Sequence, residues 1–285
     1  MTRFLVHVGY PKTATTTLQE HLFARHPEVD YIGKRIPEHD YRQPGLFPLI
    51  NALMVDFEGD WEGSGQLRAL FDADRAVCAR PCLMLSSENF IHPWSQDPSV
   101  VAARLASVAP GAEILITIRE QKALLLSFYR WHGAFGQYLY MNKYVDETLD
   151  LPLSTETWLE YQFRAPSKNL LGYLHFDRVV SAYSRHFGAD RVHVLPFELY
   201  RDSSVAFIDR LSAIMGIDVA MARGLLHDKA ENDRLDPRFA RQQGYVPDAA
   251  FSPADQARIS AFFGAGNRKL AEMTGIDVKA CGYSL

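Results

Sequence analysis

A chain of 285 residues is long enough for one large α/β domain, or for a domain with an appended lobe. Its formal net charge of −4 argues against non-specific nucleic-acid binding, which requires many cationic side chains. Three cysteines form no disulfide framework, no apolar run has the length of a membrane span, and the N-terminus lacks a signal-peptide pattern. These features predict a cytoplasmic protein without a membrane span.

Short apolar runs alternate with helical patterns along the chain. The runs have the length and composition of strands buried on both faces and occur at 3–8, 82–86, 113–118 and 191–195. Helical patterns occur at about 15–25, 64–80, 98–109, 121–135, 168–187 and 203–215. This alternation predicts an α/β fold, in which a P-loop-type parallel sheet has helices on both faces. We expect a single domain over 1–285, with helical excursions and its core sheet within about 3–200.

The C-terminal region, about 201–285, is predicted to consist of helices and loops. A final helix is expected at about 253–273, with Ser252 as its N-cap, Pro253 as its first residue and Gly275 just beyond its end. A polar stretch before it, 227–254, has the features of a long functional loop. It carries three arginines, Arg234, Arg238 and Arg241.

The segment Gly9–Thr17 has the composition of an anion-binding loop. It follows the first predicted strand and leads into a helix, whose N-terminal N–H groups and dipole attract anions. Lys12 adds a positive charge, and no residue of the segment is acidic. Hydroxyl donors come from Thr13, Thr15, Thr16 and Thr17. An ordinary helix N-terminus is the alternative interpretation, but four threonines in five positions are poor helix formers.

The same segment differs from the Walker A pattern of ATP-binding proteins. When that pattern begins at Gly9, Ala14 takes the place of its second glycine and Thr15 the place of its lysine. The lysine lies instead at Lys12, and no acidic strand end of the Walker B type follows. The loop therefore has the length of a phosphate loop but lacks the lysine of an ATPase or kinase.

With its lysine in this place, Pro11-Lys-Thr-Ala-Thr-Thr16 resembles the 5′-phosphosulfate loop of the sulfotransferase superfamily, usually Pro-Lys-Ser/Thr-Gly-Thr-Thr. The resemblance implies that 3′-phosphoadenosine 5′-phosphosulfate is the co-substrate, held by Lys12, Thr13, Ala14, Thr15, Thr16 and Thr17. Ala14 departs from the family's glycine. We therefore expect this residue to avoid positive φ and to keep its methyl group clear of the phosphate.

A second phosphate element is expected after the strand at 113–118. Arg119 follows that strand directly, and Ser127 lies eight residues later on the next predicted helix. This spacing resembles the superfamily's 3′-phosphate element, in which an arginine and a serine bind one phosphate from two sides. Pairing of Arg119 with Glu120 or another carboxylate is the alternative. Both elements fall at carboxyl ends of predicted parallel strands, where such sheets bind ligands.

Sulfuryl transfer also requires a base for the acceptor's proton and stabilisation of the leaving phosphate. Lys12 is the candidate for the leaving and bridging oxygens. Glu88 follows the strand at 82–86, and the resemblance to sulfotransferases that act on sugars implies that it is the base. His92 lies four residues further on and is the other candidate.

These features predict a sulfotransferase that uses 3′-phosphoadenosine 5′-phosphosulfate without a metal and acts on a hydroxyl, or an amine, of a small-molecule or saccharide acceptor. Two other functions remain open: a P-loop small-molecule kinase and a non-catalytic nucleotide-binding protein of the same fold. By the same resemblance, Arg234, Arg238 or Arg241 would close over the 3′-phosphate.

Overall fold

The computed structural model describes residues 2–35, 40–42, 45–55, 61, 64–91, 97–131, 133–135, 151–227 and 246–285. The chain forms two compact units. The first consists of Met1–Ile118 and Arg178–Glu231, and the second of Arg119–Asp177 and Asn232–Leu285. The single domain expected over 1–285 stays a prediction.

The first unit is built on a five-stranded parallel sheet. The described strands are β1 (Arg3–His7), β2 (Val29–Tyr31), β3 (Lys34–Arg35), β4 (Asp40–Tyr41), β5 (Cys82–Ser86), β6 (Glu113–Ile118) and β7 (Val192–Pro196). The sheet has the order β2-β5-β1-β6-β7, and β3 pairs with β4 in a separate antiparallel ribbon. The predicted α/β class and all four predicted strands are confirmed. The short strand β2 escaped prediction because Asp30 interrupts its apolar pattern; in the fold Arg42 pairs with this carboxylate.

Helices connect the strands in the predicted alternation. Those described are α1 (Thr15–Thr17), α2 (Leu46–Val55), α3 (Ser64–Val77), α4 (Pro98–Val108), α5 (Gln121–Arg130), α6 (Thr155–Arg164), α7 (Leu170–Tyr173), α8 (Phe176–Phe187), α9 (Phe197–Asp202), α10 (Ser204–Met215), α11 (Val219–Leu226) and α12 (Pro253–Thr274). A π-helix, Leu18–Phe23, continues α1 directly. Helix α12 has the predicted boundaries, since the Ser252 hydroxyl accepts the Asp255 N–H and Gly275 is left-handed at φ 67°.

Two predicted helices are shorter than their sequence patterns. The pattern at 121–135 ends as an α-helix at Arg130. The pattern at 168–187 is broken into α7 and α8, preceded by a 3₁₀ turn at Pro166–Lys168. At the start of α7, the Gln162 side chain accepts the N–H of Leu170, and the Asn169 amide donates to the Tyr161 carbonyl of α6. These side-chain hydrogen bonds join α7 to α6.

Both faces of the parallel sheet are covered, since successive side chains of a strand point to opposite faces. On one face Leu5, Met84 and Leu115 join buried side chains of the π-helix, α10 and α11 in a single hydrophobic cluster. On the other face the ring of Phe4 packs edge-on against Phe71 of α3, with 5.5 Å between centroids. This burial on both sides explains the uninterrupted apolar runs of β1, β5 and β6.

The second unit is organised around α5, α6 and α12. Trp158 of α6 is fully buried and contacts the rings of Tyr129 and Phe251. The side-chain amides of Gln121 in α5 and Asn267 in α12 hydrogen-bond each other, at 2.7 and 3.2 Å. These contacts join α5 to the C-terminal helix within this unit.

Among the described residues, no helix combines the length and the apolar composition needed to cross a membrane.

Candidate functional site

The face of the sheet that packs against the π-helix changes from apolar to polar at its carboxyl edge. Two residues beyond Leu5, Met84 and Leu115, the side chains on this face belong to His7, Ser86 and Thr117. His7 lies opposite Ser86 in the register of β1 and β5, and all three side chains are fully buried. Three adjacent strands thus place polar groups at one point, next to the loop that follows β1.

These side chains form a continuous buried chain of hydrogen bonds, which we call the relay. The Gln19 amide donates to the Ser86 hydroxyl at 2.9 Å, and Ser86 Oγ lies 2.8 Å from His7 Nδ1. His7 Nε2 lies 3.0 Å from Thr117 Oγ1, which lies 2.7 Å from Thr13 Oγ1. The relay therefore runs from the π-helix, through the ends of β5, β1 and β6, into the loop.

The donors and acceptors of the relay can be assigned from its loop end. The Thr13 hydroxyl donates its single proton to the Tyr10 carbonyl at 2.5 Å, so its oxygen must accept from Thr117. Thr117 then accepts from His7 Nε2–H, and His7 Nδ1 accepts from Ser86. This assignment requires a neutral imidazole, and burial lowers the pKa of His7 to about 3.

Gly9 is required by the relay rather than by an unusual backbone angle. A Cβ atom at this position would lie 2.1 Å from Thr117 Oγ1 and 2.3 Å from His7 Nε2. The imidazole and the hydroxyl occupy the space above the Gly9 backbone, so a larger residue would separate them. The first glycine of the loop therefore accommodates the His7–Thr117 hydrogen bond.

The loop takes its shape from two left-handed residues, Lys12 at φ 67° and Ala14 at φ 65°. The expectation that Ala14 avoids positive φ is wrong. The backbone adopts the conformation that a glycine would favour, and the Cβ atom of Ala14 bears its steric cost. Ala14 is also the N-cap of α1 and has no side-chain acceptor for the N–H groups of the first turn.

Within the loop, the Tyr10 carbonyl is held by two threonine hydroxyls. It accepts hydrogen bonds from Thr13 Oγ1 at 2.5 Å and from Thr15 Oγ1 at 3.2 Å. Thr13, Thr15 and Thr17 are buried, whereas Lys12 and Thr16 are half-buried. Because the Thr13 hydroxyl is used inside the loop, the prediction that Thr13 contacts an anion depends on its backbone N–H.

Glu88 lies where the sequence placed it, two residues beyond β5. The Ser87 N–H donates to the His7 carbonyl at 3.1 Å and so continues the alignment of β5 with β1. Glu88 then begins a 3₁₀ turn, Glu88–Ile91, and is half-buried. The loop and Glu88 therefore follow adjacent strands of one sheet. His92 lies outside the described residues.

The second predicted phosphate element belongs to the other compact unit. Arg119 directly follows β6, and Ser127 lies on α5; both are half-buried. The Glu120 carboxylate accepts the N–H of Ala123 as the N-cap of α5 and lies 3.5 Å from Lys122 Nζ. Glu120 therefore serves the helix and Lys122. Arg234, Arg238 and Arg241 lie outside the described residues, and within the described part of the chain no group of three or more His, Cys, Asp or Glu side chains is placed to hold a metal ion.

The relay was missed by sequence reasoning. His7, Ser86 and Thr117 each look unremarkable in their own strands, and Gln19 looks like a surface residue of a helix. The available signal was the shared switch from apolar to polar at the end of three buried strands. It becomes visible only when the order of β5, β1 and β6 in the sheet is known.

Comparison with solved structures places the fold among the sulfotransferases. The chain is similar to a sulfotransferase from Alicyclobacillus acidocaldarius, with a TM-score of 0.55 and 18% identity over 99% of both chains. It is also similar to mouse sulfotransferase SULT7A1, solved complexed with PAP, with a TM-score of 0.51 and 16% identity over 98% of this chain and 87% of that one. No family model and no curated protein matches the sequence. The likeness defines a sulfotransferase-like α/β fold.

The left-handed conformation of Ala14 predicts that Ala14→Gly stabilises the protein. Removing the Cβ atom relieves about 1–2 kcal/mol of strain, and the added freedom of the unfolded chain offsets about 0.5–1 kcal/mol of it. We expect the free energy of unfolding in urea to rise by about 0.5–1 kcal/mol. The control is Ala69→Gly in the exposed interior of α3, which should cost about 1 kcal/mol. Equal losses for both variants would contradict the left-handed loop.

Burial of neutral His7 predicts a loss of stability in mild acid. Below pH 6.5 the unfolded chain binds a proton at this histidine that the folded protein, with its pKa of about 3, refuses. Relative to His7→Gln, the wild-type free energy of unfolding should fall by about 2 kcal/mol between pH 6.5 and 5. The matched control is His186→Gln, at an exposed position of α8, which should follow the wild type. Parallel pH profiles for wild type and His7→Gln would contradict this assignment.

Proposed function

We propose that the protein is a sulfotransferase that moves the sulfuryl group of 3′-phosphoadenosine 5′-phosphosulfate to an acceptor hydroxyl or amine. The observation that carries the proposal is the loop between β1 and α1, with its hydrogen-bonded Tyr10 carbonyl, its left-handed Lys12 and Ala14, and its resemblance to the sulfotransferase phosphosulfate loop. The sulfotransferase-like fold supports it.

The chemistry of the loop suits a phosphosulfate. An anion is stabilised by N–H donors and positive charge and is repelled by carbonyl oxygens. Here the Tyr10 carbonyl is engaged by two hydroxyls, the residue before the helix has no capping side chain, and Lys12 belongs to the loop itself. In our proposal Lys12 and the backbone of Thr13–Thr17 bind the 5′-phosphosulfate.

The proposed reaction is an in-line transfer. The acceptor oxygen forms a bond to sulfur while the bond from sulfur to the bridging oxygen breaks, and 3′-phosphoadenosine 5′-phosphate leaves with the electron pair. The Glu88 carboxylate takes the acceptor's proton, and the Lys12 ammonium stabilises the charge that develops on the leaving phosphate. His92 remains the alternative base.

Arg119 and Ser127 are proposed to bind the 3′-phosphate, the group that distinguishes this co-substrate from ATP. An arginine fork and a hydroxyl are suitable donors for one phosphate. A small molecule or a saccharide is the proposed acceptor, and no metal takes part. The small and odd number of cysteines in the sequence is the ground for the proposed cytoplasmic location.

Ligand-induced stabilisation distinguishes this proposal from a small-molecule kinase. We expect 3′-phosphoadenosine 5′-phosphate, without added metal, to raise the melting temperature, because a ligand at 100 times its Kd stabilises a protein by about 2.7 kcal/mol. ATP with Mg²⁺ should have a much smaller effect. Adenosine 5′-phosphate is the control for the contribution of the 3′-phosphate. The opposite ranking, with ATP and Mg²⁺ more stabilising, would favour the kinase.

Single substitutions then separate an enzyme from a nucleotide-binding protein without catalytic activity. With labelled donor and a panel of hydroxyl and amine acceptors, Lys12→Met and Glu88→Gln should each lower kcat by about 100-fold or more, as is typical for loss of a charge-stabilising group or a general base. Glu88→Gln should retain binding of 3′-phosphoadenosine 5′-phosphate. Lys279→Met, at an exposed position, is the control for Lys12. Binding of the bisphosphate without transfer to any acceptor would favour the non-catalytic alternative.

A further inference from the structure

The hydrogen bonds of the relay all point from donor to acceptor in the same direction, toward the loop. Starting from the Gln19 amide, each hydroxyl accepts one hydrogen bond and donates one, and the imidazole accepts at Nδ1 and donates at Nε2. The last donor is the Thr13 hydroxyl and the last acceptor is the Tyr10 carbonyl. No step between Ser86 and Thr13 can reverse alone, because each hydroxyl and the neutral imidazole have a single proton to donate.

The last acceptor of the relay is the group that most needs to be turned away from an anion. A carbonyl oxygen directed at a bound phosphate would repel it and would take the place of an N–H donor. The Thr13 proton stays with this carbonyl as long as Thr117 donates to Thr13 and does not compete for that proton as an acceptor. Thr117 donates to Thr13 when His7 donates from Nε2, because an accepting Nε2 would take the Thr117 proton instead.

We propose that His7 is a positioning residue for the phosphate loop, acting through the hydroxyls of Thr117 and Thr13 to keep the Tyr10 carbonyl hydrogen-bonded to Thr13 and so turned away from a bound anion. This inference rests on the proposed function for its effect on co-substrate binding. It divides the relay at the imidazole: Thr117 and Thr13 shape the loop, whereas Ser86 and Gln19 lie on the other side of His7, which can donate from Nε2 to Thr117 without them.

Gly9 is independent support for this assignment. The space that its missing Cβ atom would fill contains both atoms of the His7–Thr117 hydrogen bond, at 2.3 and 2.1 Å. The chain therefore keeps its backbone clear at the one point where the relay crosses from β1 to β6. A purely structural role in joining the strands does not need this link, since the backbone pairing of β1 with β6 already joins them.

Ser86 and Thr117 provide a matched pair of substitutions. Both hydroxyls are fully buried near strand ends, and each makes two side-chain hydrogen bonds within the relay. Ser86→Ala cuts the relay before His7, whereas Thr117→Val cuts it between His7 and Thr13 with little change of shape. If the relay only stabilises the sheet, the two variants should lose similar stability and leave the loop equally intact.

The first measurement uses the ligand-free protein. We expect Thr117→Val to speed amide hydrogen exchange over residues 10–17 by about tenfold or more, because a hydrogen bond that orders the loop is lost. Ser86→Ala should leave exchange in this segment within about twofold of wild type, and Thr117→Ser, which keeps the hydroxyl, should restore it. Equal exchange in Ser86→Ala and Thr117→Val would overturn the inference.

The second measurement is calorimetric binding of 3′-phosphoadenosine 5′-phosphate. We expect Thr117→Val to raise Kd about tenfold, while Ser86→Ala and Thr117→Ser remain within about twofold. If wild type binds the bisphosphate and Thr117→Val binds it equally well, the inference is wrong. If wild type does not bind it, the proposed function fails, and the exchange experiment alone decides whether His7 positions the loop.

His7 itself is tested by two amides of different length. The Gln amide reaches the place of Nε2 and can donate to Thr117, whereas the Asn amide reaches the place of Nδ1 and can serve only Ser86. We expect His7→Gln to keep Kd within about threefold of wild type and His7→Asn to raise it about tenfold. Melting temperatures establish that both variants fold. A Kd for His7→Asn as low as that of His7→Gln would count against positioning through Nε2.

Discussion

The hydrogen bond between neutral His7 and Thr117 is the constraint on which the architecture of the site depends. It lies at the carboxyl edge of the sheet, where the apolar interior gives way to polar groups on three neighbouring strands. An imidazole can serve there because it is both acceptor and donor, and burial keeps it uncharged. Because Gly9 has no side chain, the His7 imidazole and the Thr117 hydroxyl can approach each other. Gly9 is also the first residue of the loop. The buried side chains at the end of the sheet therefore help to determine the shape of the loop, together with the loop's own residues.

Much of the fold was predictable from the sequence, and particular residues explain where prediction failed. Strand β5 has the predicted bounds, since its apolar run has the length of a strand buried on both faces and is too short for a typical helix. Helix α12 was predicted with its caps, because Ser252 and Gly275 act on their own backbone neighbourhood. By contrast, the start of α7 is hydrogen-bonded to Gln162 of α6, and Asp30 of β2 is paired with Arg42. Such contacts link residues through the fold and leave no local pattern.

Some residues of the candidate site could likewise be identified from the sequence, and others could not. Lys12, Glu88 and the threonines were identified because a phosphate loop has a composition and a place after a strand that one sequence can reveal. The conformation of Ala14 was not predicted, since alanine disfavours positive φ and nothing in the sequence marks this position as an exception. The relay could not be predicted either, because it requires β5, β1 and β6 to be adjacent. A site whose residues follow one another along the chain can be recognised from the sequence. A site assembled from several strands can be recognised only when the order of those strands in the sheet is known.

Alanine in a conformation suited to glycine has a consequence for recognition. A glycine at position 14 would let the empty loop sample many shapes, most of them unable to surround an anion. The methyl group of Ala14 removes many of those shapes from the ligand-free ensemble, while the hydrogen bonds at Tyr10 hold the one that remains. Less conformational entropy is then lost when a ligand enters, so part of the ordering cost of binding has been moved into folding. The rigidity of the loop is therefore accompanied by a lower free energy of unfolding of the whole protein.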